Sequence, residues 1–190
     1  MNLYRSDRIS VKDYFEIREK SEELLEYIDG FVYMSPSLSI MHQRISGNLY
    51  IKFRTFLEGK QCEVFHAPVD IELKSEIMDG TKIVIPDLSI ICDKSGLTDS
   101  KYIGVPGLIV EILSPSNQTH DLITKLNLYM AYGVQEYWIV NPMLSSVSIY
   151  SLNEEKLYIQ HDLRTEEGNV TSQFLKGFQV DLKEIFQGNH

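Results

Sequence analysis

Apolar and polar positions change period several times along this chain, and each change marks an element. Ser10-Val11-Lys12-Asp13-Tyr14-Phe15-Glu16-Ile17-Arg18 has helical spacing behind a serine able to cap it, which predicts a short first helix. Leu25-Glu26-Tyr27-Ile28-Asp29-Gly30-Phe31-Val32-Tyr33-Met34 places Asp-Gly between two apolar-rich runs, the pattern of a two-residue hairpin. From Ser39 to about Leu57 the period becomes helical again, and Ile45, Leu49, Phe53 and Phe56 fall on one stripe. Strands are expected at Cys62–Phe65, Val69–Leu73, Ile83–Ile91 and Gly107–Leu113. A second long helix is expected from about Thr119 to Tyr132, ended by Gly133 as a C-terminal glycine cap. Strands at Glu136–Val140, Val147–Leu152 and Leu157–His161, a β-rich tail and a last turn at Leu182–Phe186 complete the pass.

That order predicts an α/β (α+β) fold: a mixed central sheet flanked by helices, with an N-terminal hairpin and a β-rich C-terminal tail. The 190 residues suit one domain, expected over 1–190. The hydrophobic share of 43% and charged share of 24% are those of a globular chain. A net charge of −9 opposes general attraction to phosphate but leaves room for a local cleft. Cys62 and Cys92 lack any metal-type spacing and are expected to be buried or half-buried thiols. The start carries no apolar leader and no run reaches membrane-span length, so a cytoplasmic protein with no membrane partner is expected.

Three places carry candidate chemistry. In Ile83-Val84-Ile85-Pro86-Asp87-Leu88-Ser89 the proline cannot donate to a ladder, which sets Asp87 at the edge of a buried strand; a turn aspartate is the plainer alternative. In Leu108-Ile109-Val110-Glu111-Ile112-Leu113 a glutamate sits in a run apolar on both faces, as in a central strand. A carboxylate buried there needs a cation, and a structural ion pair would also serve. On the following helix, Lys125 lies about 60° from Leu122 and about 40° from Tyr129, bordering the apolar face. It either snorkels to water or reaches the two acids. Two carboxylates and a lysine at one sheet end suit a hard divalent cation, Mg²⁺ or Mn²⁺, and phosphodiester hydrolysis.

Pro86-Asp87 followed about 24 residues later by Glu111-Ile112-Leu113-Ser114-Pro115 resembles the Pro-Asp…(Asp/Glu)-x-Lys pattern of restriction-endonuclease-like nucleases. More closely, the chain resembles the Uma2 family of that superfamily. The resemblance is carried by Glu26-Tyr27-Ile28-Asp29-Gly30, His42-Gln43-Arg44-Ile45, Pro86-Asp87-Leu88-Ser89, Glu111-Ile112-Leu113-Ser114-Pro115-Ser116, Asp121…Lys125…Tyr129, Gly133-Val134-Gln135-Glu136-Tyr137-Trp138-Ile139-Val140 and Leu175-Lys176-Gly177-Phe178, over roughly residues 10 to 186. It implies a restriction-endonuclease-like core and a metal-dependent endonuclease acting on DNA. Asp87 and Glu111 would be the Mg²⁺ (or Mn²⁺) ligands. Leu113 stands where the pattern has its lysine, and the resemblance implies that Lys125 takes over as the relocated catalytic lysine. By analogy with nucleases that cut two strands with two subunits, a homodimer is also an expectation.

Secondary candidates surround this set. His42 shares the buried stripe of its helix, either as a core histidine or as a contact to the site or to a phosphate. Gln43 could reach a metal-bound water or DNA, Asp70 could add an acid, and Tyr129 could hold Lys125. Glu26 and Asp29 are read as serving the hairpin. Arg44, Lys52, Arg54 and Lys60 against Glu58 make one basic stretch in an acidic chain, though not on one stripe. Two other readings fit the same residues. One is a non-catalytic nucleic-acid or protein interaction module on the nuclease fold. The other is an acid–base hydrolase that chelators would not inhibit.

Overall fold

The computed structural model describes residues 2–5, 7–34, 39–75, 78, 80–114 and 120–188. In chain order the elements are β1 (Asn2–Arg5), α1 (Val11–Lys20), β2 (Leu25–Ile28), β3 (Phe31–Met34), α2 (Ile40–Leu57), β4 (Glu63–His66), β5 (Asp70–Leu73), β6 (Lys82–Val84), β7 (Leu88–Ile91), β8 (Lys101–Ile103) and β9 (Leu108–Ile112). There follow α3 (Leu126–Tyr132), β10 (Glu136–Asn141), β11 (Ser146–Leu152), β12 (Tyr158–Thr165), β13 (Asn169–Thr171), β14 (Gln179–Asp181) and α4 (Leu182–Ile185). A π-helical segment, His120–Lys125, leads straight into α3.

Local chemistry explains the boundaries that matter. Ser10 and Asp13 form a reciprocal capping box at the start of α1, and Ser39 caps α2 by accepting from the His42 backbone N–H. Asp29 and Gly30 both have positive φ, 55° and 88°, as a two-residue turn of that handedness requires, and Ile28 pairs directly with Phe31 across it. Gly133, at φ 85°, closes α3.

The strands form two six-stranded mixed sheets, where one central sheet was expected. Their orders are β1-β3-β2-β6-β5-β8 and β12-β11-β10-β9-β7-β4, and β13 pairs with β14 alone. The segment expected as one strand from Ile83 to Ile91 divides between them. Pro86 has no N–H for a ladder, and the chain leaves the first sheet at β6 and enters the second at β7.

The α2 stripe His42, Ile45, Leu49, Phe53 and Leu57 is buried. Four of these side chains pack with Leu108, Val110, Ile112 and Trp138 on one face of the second sheet, at about 1.5–3 kcal/mol for each large apolar side chain removed from water. On the opposite face Ile109, Leu113 and Ile139 pack with Leu128, Tyr129 and Tyr132 of α3. Because strand side chains alternate, Glu111 falls on the α3 face. β9 is buried at every position between β7 and β10.

The cysteines correct an expectation: Cys62 and Cys92 form a disulfide instead of standing as thiols. Antiparallel pairing of β4 with β7 sets Glu63 against Ile91, so the residues just outside that pair also face each other. Thirty residues of sequence separation gave no sign of this. Among the described residues, no helix is long and apolar enough to cross a membrane.

Candidate functional site

The second sheet and the β2 strand of the first supply the carboxylates. Asp87 immediately precedes β7, and the antiparallel register Leu88↔Val110 carried one step back sets it opposite Glu111. One carboxyl oxygen, Oδ2, is held by the protein. It accepts the Ile112 backbone N–H at 2.7 Å and lies 3.1 Å from His42 Nε2. The other oxygen, Oδ1, has no hydrogen bond among the described residues. His42 thus resolves as a partner of Asp87, reaching it from the buried stripe of α2.

On the α3 face, Glu111 Oε1 accepts from Lys125 Nζ at 2.8 Å and from the Tyr129 hydroxyl at 2.8 Å. The same ammonium donates to Glu26 Oε1 at 3.0 Å, and the Ile85 N–H donates to that oxygen at 2.6 Å. Glu26 Oε2 is buried and has no hydrogen-bond partner among the described residues. Two carboxylates, Glu26 and Glu111, therefore meet on one ammonium group, and Asp87 stands opposite Glu111 in the register. Exposure is graded across the cluster: the side chains are 13% exposed at Asp87, 6% at His42, 4% at Glu111, 1% at Lys125 and 0% at Glu26. Among the described residues, access is from the Asp87 side.

Lys125 reaches this position by a route that a helical wheel does not describe. The wheel assumed 100° per residue from Asp121, with Leu122 facing the core. In the structure the preceding turn is π-helical, Leu122 and Ile123 are 41% and 58% exposed, and Lys125 is buried. The wider turn shifts the face that the segment presents. Thr119, where the predicted helix begins, and Pro115 and Ser116 of the motif lie outside the described residues.

The remaining candidates divide. Tyr129 belongs to the cluster. Gln43 is exposed on α2, and its side chain makes no hydrogen bond among the described residues. Asp70, the first residue of β5, is engaged by Arg18 at 3.7 Å, and its ion-pair partner is not a member of the cluster. Burial lifts its carboxyl above the usual value, with Arg18 and Lys101 pulling it back. Glu26, expected from the sequence to serve the hairpin, belongs to the cluster. Its neighbours Leu25, Tyr27 and Ile28 are all buried, as it is itself. A glutamate in a run apolar on both faces is the same signal that singled out Glu111.

The donors suit a divalent cation in kind. All are carboxylate oxygens, Asp87 presents a free oxygen, and Glu26 Oε2 is an orphaned buried anion atom. Among the described residues no group of three or more His, Cys, Asp or Glu is arranged to hold an ion. Asp87 and Glu111, opposite one another in the strand register, are the carboxylates that could hold such an ion, since Mg²⁺ commonly takes one or two carboxylates and completes its shell with water and phosphate.

The fold is shared with a crystal structure of a protein from Anabaena variabilis ATCC 29413, described as a putative nuclease belonging to DUF820. The match has a TM-score of 0.73 at 17% identity and covers 94% of this chain and 97% of that one. The Uma2 family model, described as "Putative restriction endonuclease", matches residues 11–183, and the chain belongs to that family. It is also 30% identical over 182 residues to "Uncharacterized protein slr1290" of Synechocystis sp., covering 95% of this chain and 93% of the relative. "Uncharacterized protein sll1609" of the same organism is 23% identical over 171 residues, covering 88% and 94%. Membership of a family so described implies a nucleic-acid substrate.

Proposed function

We propose that the chain is a metal-dependent endonuclease that hydrolyses phosphodiester bonds in DNA, with Asp87 and Glu111 holding Mg²⁺ or Mn²⁺ and Lys125 as the catalytic cation. The observation that supports this reading is the pair of contacts from Lys125 Nζ to Glu111 and Glu26, 2.8 and 3.0 Å, which bring a lysine to the acids although Leu113 stands at the lysine position of the Pro-Asp…Glu-x-Lys pattern. A divalent cation at Asp87 and Glu111 supplies Lewis-acid activation of the scissile phosphate and of water. The protein's own groups do the rest. The Ile112 N–H and His42 fix Asp87 Oδ2 and leave Oδ1 without a hydrogen bond among the described residues. Tyr129 and Lys125 hold Glu111, and Glu26 holds Lys125. The lysine offsets charge that builds on the phosphate in the transition state. Glu26 Oε2 is a buried acceptor available to a water in the site.

The test is cleavage of single-stranded, duplex and branched DNA by the wild type and by Asp87→Ala and Glu111→Ala. Cleavage should require Mg²⁺ or Mn²⁺, vanish with chelator, and fall at least about a thousandfold in either variant while the far-ultraviolet circular dichroism stays unchanged. Cleavage that survives either substitution removes that residue from the site. Cleavage that chelator does not touch favours acid–base hydrolysis by the same carboxylates.

A further inference from the structure

The basic stretch of α2 and the turn after it looked like an undirected set of charges. The structure shows that most of them are already engaged. Arg44 donates to the Gly188 carbonyl, Lys52 pairs with Glu184, and Lys60 lies over the Phe56 ring, 3.1 Å from its centroid. Arg54 is exposed and has no ion-pair partner among the described residues. It lines a cavity of about 560 Å³ between α2 and β4, the edge strand of the second sheet. Tyr50, Phe65, His66 and Ala67 line it too. Glu63, the acid in this lining, is neutralised by Lys94.

Two details tie this cavity to the site. The Ala67 N–H donates to the Asp87 carbonyl at 3.1 Å, so one wall of the cavity is hydrogen-bonded to the backbone of the most exposed acid of the cluster. Tyr50 and Arg54 stand one turn apart on the helix that delivers His42 to Asp87, so the same element spans site and cavity over about 18 Å at 1.5 Å per residue. The ring chemistry also fits a nucleotide. His66 packs edge-on against Tyr50, with ring centroids 5.1 Å apart. His66 Nδ1 lies 2.9 Å from the Ala67 carbonyl, which can only accept, so Nδ1 carries the proton and Nε2 is the nitrogen left for a ligand.

We infer that this cavity seats a single nucleic-acid strand leading to the Asp87 end of the site, with a base against Tyr50 and a backbone phosphate on Arg54. The inference rests on the nuclease reading for its choice of ligand. An arginine beside an aromatic ring is the pairing that binds single strands without regard to sequence, through phosphate attraction and base stacking. The volume is that of a site for one small ligand, too small to admit a duplex. It also reconciles a net charge of −9 with a phosphate ligand, because the attraction is confined to one unpaired cation beside the site.

The test is fluorescence anisotropy of a short labelled oligo-dT on the full chain, made cleavage-silent by Asp87→Asn. Tyr50→Leu and Arg54→Glu should each weaken binding about tenfold, in line with a stacking contribution of about 1–3 kcal/mol per base. Tyr50→Phe keeps the ring and should bind within about twofold of its parent. Lys156→Glu makes the same charge change at the β11–β12 turn, by the opposite edge of the sheet, and should leave binding unaltered. Equal losses for Arg54→Glu and Lys156→Glu, or none for Tyr50→Leu, overturn the proposal. So does tighter binding of duplex than of oligo-dT. Photo-crosslinking of a bromodeoxyuridine strand to the Tyr50 or His66 peptide supports it even if Tyr50→Leu folds poorly, and crosslinks confined to other peptides overturn it. Because binding is read without cleavage, an inactive wild type would count against the nuclease assignment alone.

Discussion

Lys125 is where stability and function meet at the scale of single residues. Its ammonium is 1% exposed and held by two carboxylates, so removing it leaves Glu26 and Glu111 as buried unpaired charges. Lys125→Met should therefore cost about 3–5 kcal/mol in urea unfolding, the range for breaking a buried ion pair from one side. Adding Glu26→Gln removes one orphaned charge and should recover part of that loss. A double variant as unstable as the single would mean that Glu26 and Lys125 are not energetically coupled. Asp70 allows a second residue-scale test through pH. Burial raises its carboxyl value in the fold, so the stability it contributes is fully present below the unfolded value and lost as pH rises through the folded one. Asp70→Asn removes that loss. Its melting temperature relative to wild type should be more favourable at neutral pH than below the carboxylate range, and the opposite order would show that the Arg18 contact dominates.

At the scale of elements, the close packing of β9 against the C-terminal segment is open to direct test. A Cβ added at Gly107 would stand 2.1 Å from the Phe174 ring. That ring is tethered, because the Gln173 and Phe174 N–H groups both donate to buried Glu136 Oε2. Gly107→Ala should destabilise by about 1–3 kcal/mol, read from urea unfolding, and a neutral result would show that the segment gives way freely. Elements that announce themselves locally were legible in the sequence. The Asp-Gly hairpin, the α2 stripe and the Gly133 cap each depend on a few neighbouring residues. What depended on distant pairing was not. The split of Ile83–Ile91 between two sheets, the short β1 and β8 strands and the Cys62–Cys92 bond all follow from which strands become neighbours. The same distinction runs through the site. Asp87 and Glu111 stood out as acids in apolar strands, and Lys125 came through a family pattern. Glu26 was passed over because its neighbouring Asp-Gly turn offered a sufficient local explanation. The π-helical turn that brings Lys125 inward has no spacing signature of its own.

For the molecule as a whole, the acidic balance sets how a phosphate substrate can approach. A chain at −9 repels nucleic acid on average, so binding has to be local and aided by a cation at the Asp87 end, where the cluster is most exposed. Glu26 and Glu111 share one ammonium, and Asp87 adds a further carboxylate opposite Glu111, an excess of negative charge that a divalent ion would offset. The most direct test of the central claim is anomalous diffraction from a crystal of the wild-type chain grown with Mn²⁺. A manganese peak is expected within ligand distance, about 2–2.5 Å, of Asp87 and Glu111 carboxylate oxygens, with Glu26 and Lys125 beside it. No peak at that position under millimolar Mn²⁺, with Asp87 and Glu111 ordered, would contradict it.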